Sequence, residues 1–284
     1  MCIITPSPKT VAKTTIVVTA QPTVALRKVG SKKVSYDATK YTVVYANQVQ
    51  FAQDPGKDGA VMLLPFRGQY GGTVDELENH PDLVKTVRQG LMSSYPRLQS
   101  RGGGGARTKG LEFKDSGSYR VAHLASLAEL EQVGPYGADA ALIKFMQDTY
   151  QDQPGVQFLA CYLKAGAEYH PFGYQVIVES GTSMMLPTRH FHGHDHNPLD
   201  WDHQIYTVNC DWVTTDDFKQ PRFTGRSPSR MRSNENGSFV FKNEAWERVL
   251  KKHPMDWLNV VDPKQPPKAY FVDDWNVNTD INVV

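Results

Sequence analysis

Short runs rich in Val, Thr and Tyr recur along this chain between clusters of turn-forming residues, and that alternation limits it to a sheet-dominated fold. Thr15 to Thr19, Tyr41 to Tyr45 and Ala60 to Leu64 each have the length of a strand, and β-branched and aromatic side chains suit a pleated surface. Gln53-Asp54-Pro55-Gly56-Lys57-Asp58-Gly59 is a turn segment, because Pro and Gly supply the backbone angles a reversal needs. The simplest arrangement of these first strands is an antiparallel meander. Tyr119 to Leu124, Val156 to Leu163, Tyr174 to Glu179 and Gln204 to Val208 repeat the pattern further on.

Helical spacing interrupts the strands in a few places. After Pro81, the positions Leu83, Val84, Val87, Leu91 and Met92 form one apolar stripe that must end before Pro96. Ser126-Leu127-Ala128-Glu129 has the spacing of a capping box and opens a short helix. Asp139 to Tyr150 gives a second apolar face through Leu142, Phe145, Met146 and Tyr150, and Glu244 to Lys252 a third through Trp246, Val249 and Leu250. The expected class is therefore α+β, a largely antiparallel central sheet with a few short helices packed on it.

With 284 residues, 40% of them hydrophobic, the chain can bury a substantial core. Residues 1–261 are expected to form one globular domain and residues 262–284 an extended tail, with Trp275 available to dock on the body or on a partner. Gly102 to Gly105 lie inside the segment 99–110, which reads as a flexible loop, since consecutive glycines cost most to order. Thr108 stands before Lys109 where a phosphate-binding loop requires glycine.

Charge and cysteines exclude several classes of function. Lys plus Arg number 31 against 30 Asp plus Glu, so no global field draws the chain to nucleic acid or to an anionic membrane. Lys219, Arg222, Arg226, Arg230 and Arg232 make a local basic segment, but only Phe218 and Phe223 interleave with it, which is a poor stacking surface for nucleic acid. No stretch approaches the ~20 apolar residues of a membrane helix. Cys2, Cys161 and Cys210 form no short-spaced pair, which argues for a reducing, intracellular compartment. Cys161, within Phe158-Leu159-Ala160-Cys161-Tyr162-Leu163, is expected to be an inert core thiol.

The densest chemistry lies at His190, His192, His194 and His196, followed by Asp200, Asp202 and His203. A strand starting at Met184 and running through the histidines would align them on one face, successive ones ~6 to 7 Å apart. His190, His192 and His194 with Asp202 or His203 then form a ligand set suited to zinc or iron. Three spacings come near without matching. The metallo-β-lactamase pattern needs its aspartate one residue earlier than Asp195, the cupin pattern needs a glutamate where none occurs between Glu179 and Glu235, and the JAMM protease pattern needs a serine where none occurs between Ser183 and Ser227.

The start Met1-Cys2-Ile3-Ile4 resembles that of cysteine-type N-terminal nucleophile hydrolases. That resemblance implies a Cys2 nucleophile freed by loss of Met1, its own α-amine relaying the proton, with Asn47 and Arg67 of types that could hold an oxyanion or orient the amine. Met1-Cys2, Leu64-Pro65-Phe66, His170-Pro171-Phe172 and Pro187-Thr188-Arg189-His190 together resemble uncharacterised proteins of large DNA viruses and protists. Three functions follow for testing: a histidine-rich metal site, a Cys2 amidohydrolase, and a non-enzymatic structural or assembly protein of a virion or complex. The last would use the tail, residues 262–284, and the basic loop, residues 216–237, to contact a protein partner, or assemble as a homo-oligomer.

Overall fold

A computed structural model of the chain describes residues 4–5, 10–50, 60–74, 77, 79–80, 82–94, 114–116, 119–136, 138, 140–163, 172–188, 203–210, 212–213, 239–240, 243–252, 268–272 and 281–284. The strands, in chain order, begin with β1 Ile4–Thr5, β2 Thr10–Val29, β3 Lys32–Gln50, β4 Ala60–Arg67 and β5 Gln69–Val74. After helix α1, Leu83–Ser94, come β6 Lys114–Ser116 and β7 Tyr119–Leu124. A 3-10 helix, Leu127–Tyr136, and α2, Ala140–Tyr150, precede β8 Val156–Leu163, β9 Phe172–Glu179, β10 Met184–Leu186, β11 His203–Val208 and β12 Trp212–Val213. The chain closes with β13 Phe239–Val240, α3 Asn243–Lys252, β14 Lys268–Val272 and β15 Ile281–Val283.

Two larger sheets carry the fold. Among the described residues one has seven strands in the order β13-β14-β11-β2-β3-β9-β5, and the other five in the order β1-β4-β8-β7-β6. Among the described residues, pairing is antiparallel except between β2 and β11, which run parallel with Ile16 opposite Ile205. The α+β class with a central, largely antiparallel sheet is as the residue pattern requires. The meander expected of the first strands holds only for β2 and β3. β4 leaves them to pair with β8 and β1 in the other sheet, because the outer edge of β3 is taken by β9.

Alternation decides which side chains meet between the sheets. Ile16, Val18, Tyr41, Val43, Tyr45, Phe172, Tyr174 and Val176 of the seven-stranded sheet face Met62, Leu64, Phe66, Tyr119, Val121, Leu159 and Cys161 of the five-stranded one, forming one buried core. Burial of each large side chain there is worth roughly 1.5–3 kcal/mol. Rings interlock across it: Phe172 lies 5.8 Å from Tyr45 and 4.8 Å from Tyr119. The opposite side chains of the five-stranded sheet, including Val61, Leu63, Phe158 and Ala160, pack under the 3-10 helix and α2 through Leu130, Val133, Leu142 and Met146.

The helices lie close to their expected bounds. Leu142, Met146 and Tyr150 form the buried side of α2. Ala125 N–H donates to the Glu129 carboxylate at 2.9 Å at the start of the 3-10 helix. α1 packs on α3, where Lys252 reaches both Asp82 and the Thr86 hydroxyl. Of the segment expected as an extended C-terminal tail, the described parts are strands paired in sheets: β14 pairs with β11 and β13, and β15 pairs with β10 and β12, with Val283 fully buried.

Candidate functional site

The first place to look is the histidine segment. Residues 189–202 lie outside the described residues, and so do Cys2, Trp275, the Gly-rich segment 99–110 and the basic segment 216–237. His190, His192, His194 and Asp202 are therefore not placed. His203 opens β11, its backbone paired with Thr14 and Val272. The strand expected to run from Met184 through the histidines ends at Leu186. Pro187 follows it, and proline has no N–H to continue a ladder. No group of three metal-ligating side chains stands together among the described residues.

The groups suggested for a Cys2 nucleophile are engaged elsewhere or not placed. Arg67 Nη2 donates to Gln153 Oε1 at 2.5 Å. Asn47 is part of β3. The described cysteines are structural: Cys161 is fully buried, and burial pushes its thiol well above the ordinary range. Cys210 is half-buried with its Sγ 3.6 Å from the Val18 carbonyl oxygen. Burial, with Cys210 adding to it, pushes the Tyr41 phenol up to about 12, and burial, then Cys161, raises Tyr174 as well. Cys161, Tyr41 and Tyr174 therefore stay neutral near pH 7.

His123 belongs to a satisfied surface cluster. It stacks on Tyr70 at 4.5 Å and meets Gln157 Oε1 at 2.7 Å, while Gln157 Nε2 donates to the Gly68 carbonyl at 2.9 Å. No carboxylate or nucleophile joins it in these contacts, and the arrangement closes the turn between β4 and β5. Gly68 is required there: its φ is +125°, and a Cβ would stand 2.7 Å from the Ile177 carbonyl oxygen.

The feature without a structural explanation is an arm. β2 and β3 pair with each other from the sheet to the turn at Gly30 and Ser31, where Val29 meets Lys32. Their neighbours stop much earlier: β11 ends opposite Thr19 and β9 ends opposite Ala38. From Val24 to Gly30 the ribbon therefore runs on by about 20 Å with no strand on either edge among the described residues, and the β2 edge is free from Ala20. Gly30 has φ +60°, and a glycine with positive φ at the first central position suits the tight hairpin turn that matches strand twist.

Its surface is unusual for a projecting ribbon. Along β2 the side chains facing the core are Ile16, Val18 and Ala20, and the same stripe continues through Pro22, Val24 and Leu26 after the opposing sheet has ended. Val24 is 67% exposed and Leu26 57%; Val29 and Val34, on the other face of the ribbon, are 56% and 42% exposed. Among the described residues, every exposed large hydrophobic side chain except the terminal Val284 lies on this arm. Arg27, Lys28, Lys32 and Lys33 surround them, and no acidic residue precedes Asp37 in the chain.

Two contacts made by Arg27 brace the arm. Arg27 lies over the Tyr36 ring at 5.2 Å and pairs with Glu179 at 3.2 Å. Lys28 stands directly opposite Lys33, a like-charge pair that costs stability in a sheet. Residue-level patterning missed the arm because Arg and Lys are weak strand formers and break up the apolar runs at 20–40. The available signal was Val29-Gly30-Ser31-Lys32, a turn dipeptide between alternating flanks.

Comparisons with known proteins add a likeness in overall path. No protein-family model matches the chain, and no curated protein matches it. Among solved structures it is similar to baculovirus P35, with 17% identity, a TM-score of 0.43, and coverage of 76% of this chain and 70% of that one. A mutated baculovirus P35 after caspase cleavage shares 11% identity at a TM-score of 0.45, over 98% of this chain and 93% of that one. The P35 of a caspase-8/P35 complex shares 13% identity at a TM-score of 0.39, over 71% and 65%. At those identities and scores the likeness decides neither family nor activity. No helix among the described residues is long and apolar enough to cross a membrane.

Proposed function

We propose that this chain acts by binding another protein, and that the β2–β3 arm is the part that binds. The observation that carries this reading is the concentration of exposed large hydrophobic side chains on a two-stranded projection whose apolar stripe has left its core. A monomer gains nothing by keeping Val24 and Leu26 in water, and contiguous exposed apolar surface marks interaction sites. The ring of cations and the Lys28–Lys33 opposition fit a partner that is acidic around an apolar floor. This takes the non-enzymatic assembly role expected from the sequence and moves it to the arm from the C-terminal segment, whose strands β14 and β15 are paired in sheets.

Affinity capture with the full chain tests it against a Val24→Asp, Leu26→Asp double variant and a Lys28→Glu, Lys33→Glu double variant. Partners retained by the wild type should be lost from both variants while the thermal midpoint stays within a few degrees. Caspase-8, the partner in the compared caspase-8/P35 complex, is one arm of the screen. Equal capture by all chains would remove the arm from the reading.

A metal site at His190, His192 and His194, with Asp202 or His203, is a second proposal. It is favoured by the fixed position of the His203 backbone at the head of β11, immediately after Asp202. Elemental analysis should find zinc or iron near one per chain, lost on His190→Ala with His192→Ala. Metal unchanged by that pair would end the proposal.

A further inference from the structure

We infer that the arm takes its partner by strand addition along the outer edge of β3, the added strand being an extended segment whose acidic residues fall beside Lys32 and Lys33. This rests on the reading of the arm as the binding element and names how it binds. The direction of the backbone groups is fixed by one hydrogen bond: Ser180 N–H donates to the Asp37 carbonyl at 3.0 Å, so Asp37 turns its polar groups outward, toward β9. Alternation then turns the N–H and C=O of Ser35 and Lys33 outward as well. β9 has ended at Glu179, and Gly181, with φ +82°, turns the chain away. The line of donors and acceptors therefore continues past the end of the strand that used it.

The opposite edge of the arm is guarded. By the same alternation Pro22, Val24 and Leu26 present the outward groups of β2, and Pro22 stands just where β11 has stopped. Proline lacks the N–H that an incoming strand would use, a common protection of an edge. The outer edge of β3 from Lys32 to Tyr36 contains no proline.

Charge selects what can be added. A second copy pairing antiparallel through the same edge about Val34 would set its Lys33 diagonal to this one, roughly 7–8 Å away, and like charges that close on a sheet face repel. An acidic strand meets these lysines favourably. Antiparallel to β3, its residues opposite Ser35 and Val34 would be β-branched and those opposite Lys33 and Lys32 acidic, so main-chain bonds supply affinity and the two lysines supply direction.

The test uses the full chain and a fluorescein-labelled peptide, Thr-Val-Thr-Val-Glu-Glu, with Thr-Val-Thr-Val-Lys-Lys as its charge-reversed counterpart. The acidic peptide should bind at low salt, about tenfold or more tighter than the reversed one. It should slow hydrogen exchange at the Lys33 and Ser35 amides. Ser35→Pro removes an outward N–H without touching the β2–β3 ladder and should weaken binding about tenfold, whereas Ser35→Ala should not. Absence of binding, equal binding of the two peptides, or unchanged exchange at Lys33 and Ser35 would overturn strand addition. If the Val24→Asp, Leu26→Asp chain loses its captured partner while Ser35→Pro keeps it, the arm still binds protein and only the strand mode falls.

Discussion

Arg27 of the arm and Glu179 at the end of β9 are joined by an ion pair of 3.2 Å, which ties the outer part of the two-stranded ribbon back to the sheet it has left. Both side chains are more than half exposed, so water and salt screen the pair and its share of global stability is small. Its effect is local, since it braces the outer part of a ribbon that no other described strand flanks. Arg27→Ala or Glu179→Ala should change the unfolding free energy by less than about 1 kcal/mol. The amides from Val24 to Tyr36 should nevertheless exchange faster. A global loss well beyond that limit, or unchanged exchange in the arm, would contradict the tether.

Stability should fall on the alkaline side. The Tyr41 phenol is pushed up to about 12 by burial and by Cys210, against an unfolded value near ~10. Between those values the folded chain holds a proton that the unfolded chain has released. The stabilisation is complete below pH ~10 and is lost as pH rises from ~10 to ~12. Tyr174, also raised, acts with the same sign. Denaturant midpoints across this range should drop less steeply in Tyr41→Phe than in the wild type.

Tyr174 carries a second expectation. Its hydroxyl is buried without a hydrogen-bond partner among the described residues, so the protein bears the desolvation of that group without a return. Tyr174→Phe should be neutral or stabilising by up to about 1 kcal/mol. A loss of several kcal/mol would show that the hydroxyl is bonded.

Two glycines should respond differently. A methyl at Gly68 meets the Ile177 carbonyl oxygen at 2.7 Å and Val176 Cγ1 at 2.8 Å, at a φ of +125°, so Gly68→Ala should cost about 2–4 kcal/mol. At Gly30 the φ is +60° with nothing within 4 Å. Gly30→Ala should cost only about 1–2 kcal/mol, and that loss should show in exchange rates of the arm before it shows in the global midpoint.

The parts of this fold readable from sequence are those in which one local rule acts alone. The stripe Leu83, Val84, Val87 and the buried side Leu142, Met146, Tyr150 follow helical spacing, and both helices stand where that spacing puts them. Strand cores such as Val156–Leu163 are runs of buried residues with uniform character. Partner choice was not readable, because nothing in Ala60 to Leu64 says that its ladder is with β8 rather than β3. The arm was hidden for a related reason. Its strands persist because each supports the other across the pair, while their composition of Arg, Lys, Ser and Gly argues locally for loop. At the histidine segment the ligand types are plain, and only the expected strand is tested, ending at Leu186 before the first histidine.

The parallel ladder between β2 and β11 joins Ile16 to Ile205, and β14 then closes on the far side of β11. In a growing chain β2 and β3 are available to pair as soon as both have emerged, yet β11, the partner for the other edge of β2, leaves the ribosome only after residues 51–202 have been added. Non-local pairing of this kind slows folding and leaves strand edges open meanwhile. The exposed edge in that interval includes Thr15 to Thr19, an uncharged β-branched run. Newborn chains should therefore depend on a holding chaperone until residue 208 has emerged, and truncations that stop short of β11 should aggregate while retaining a ribbon that is already paired.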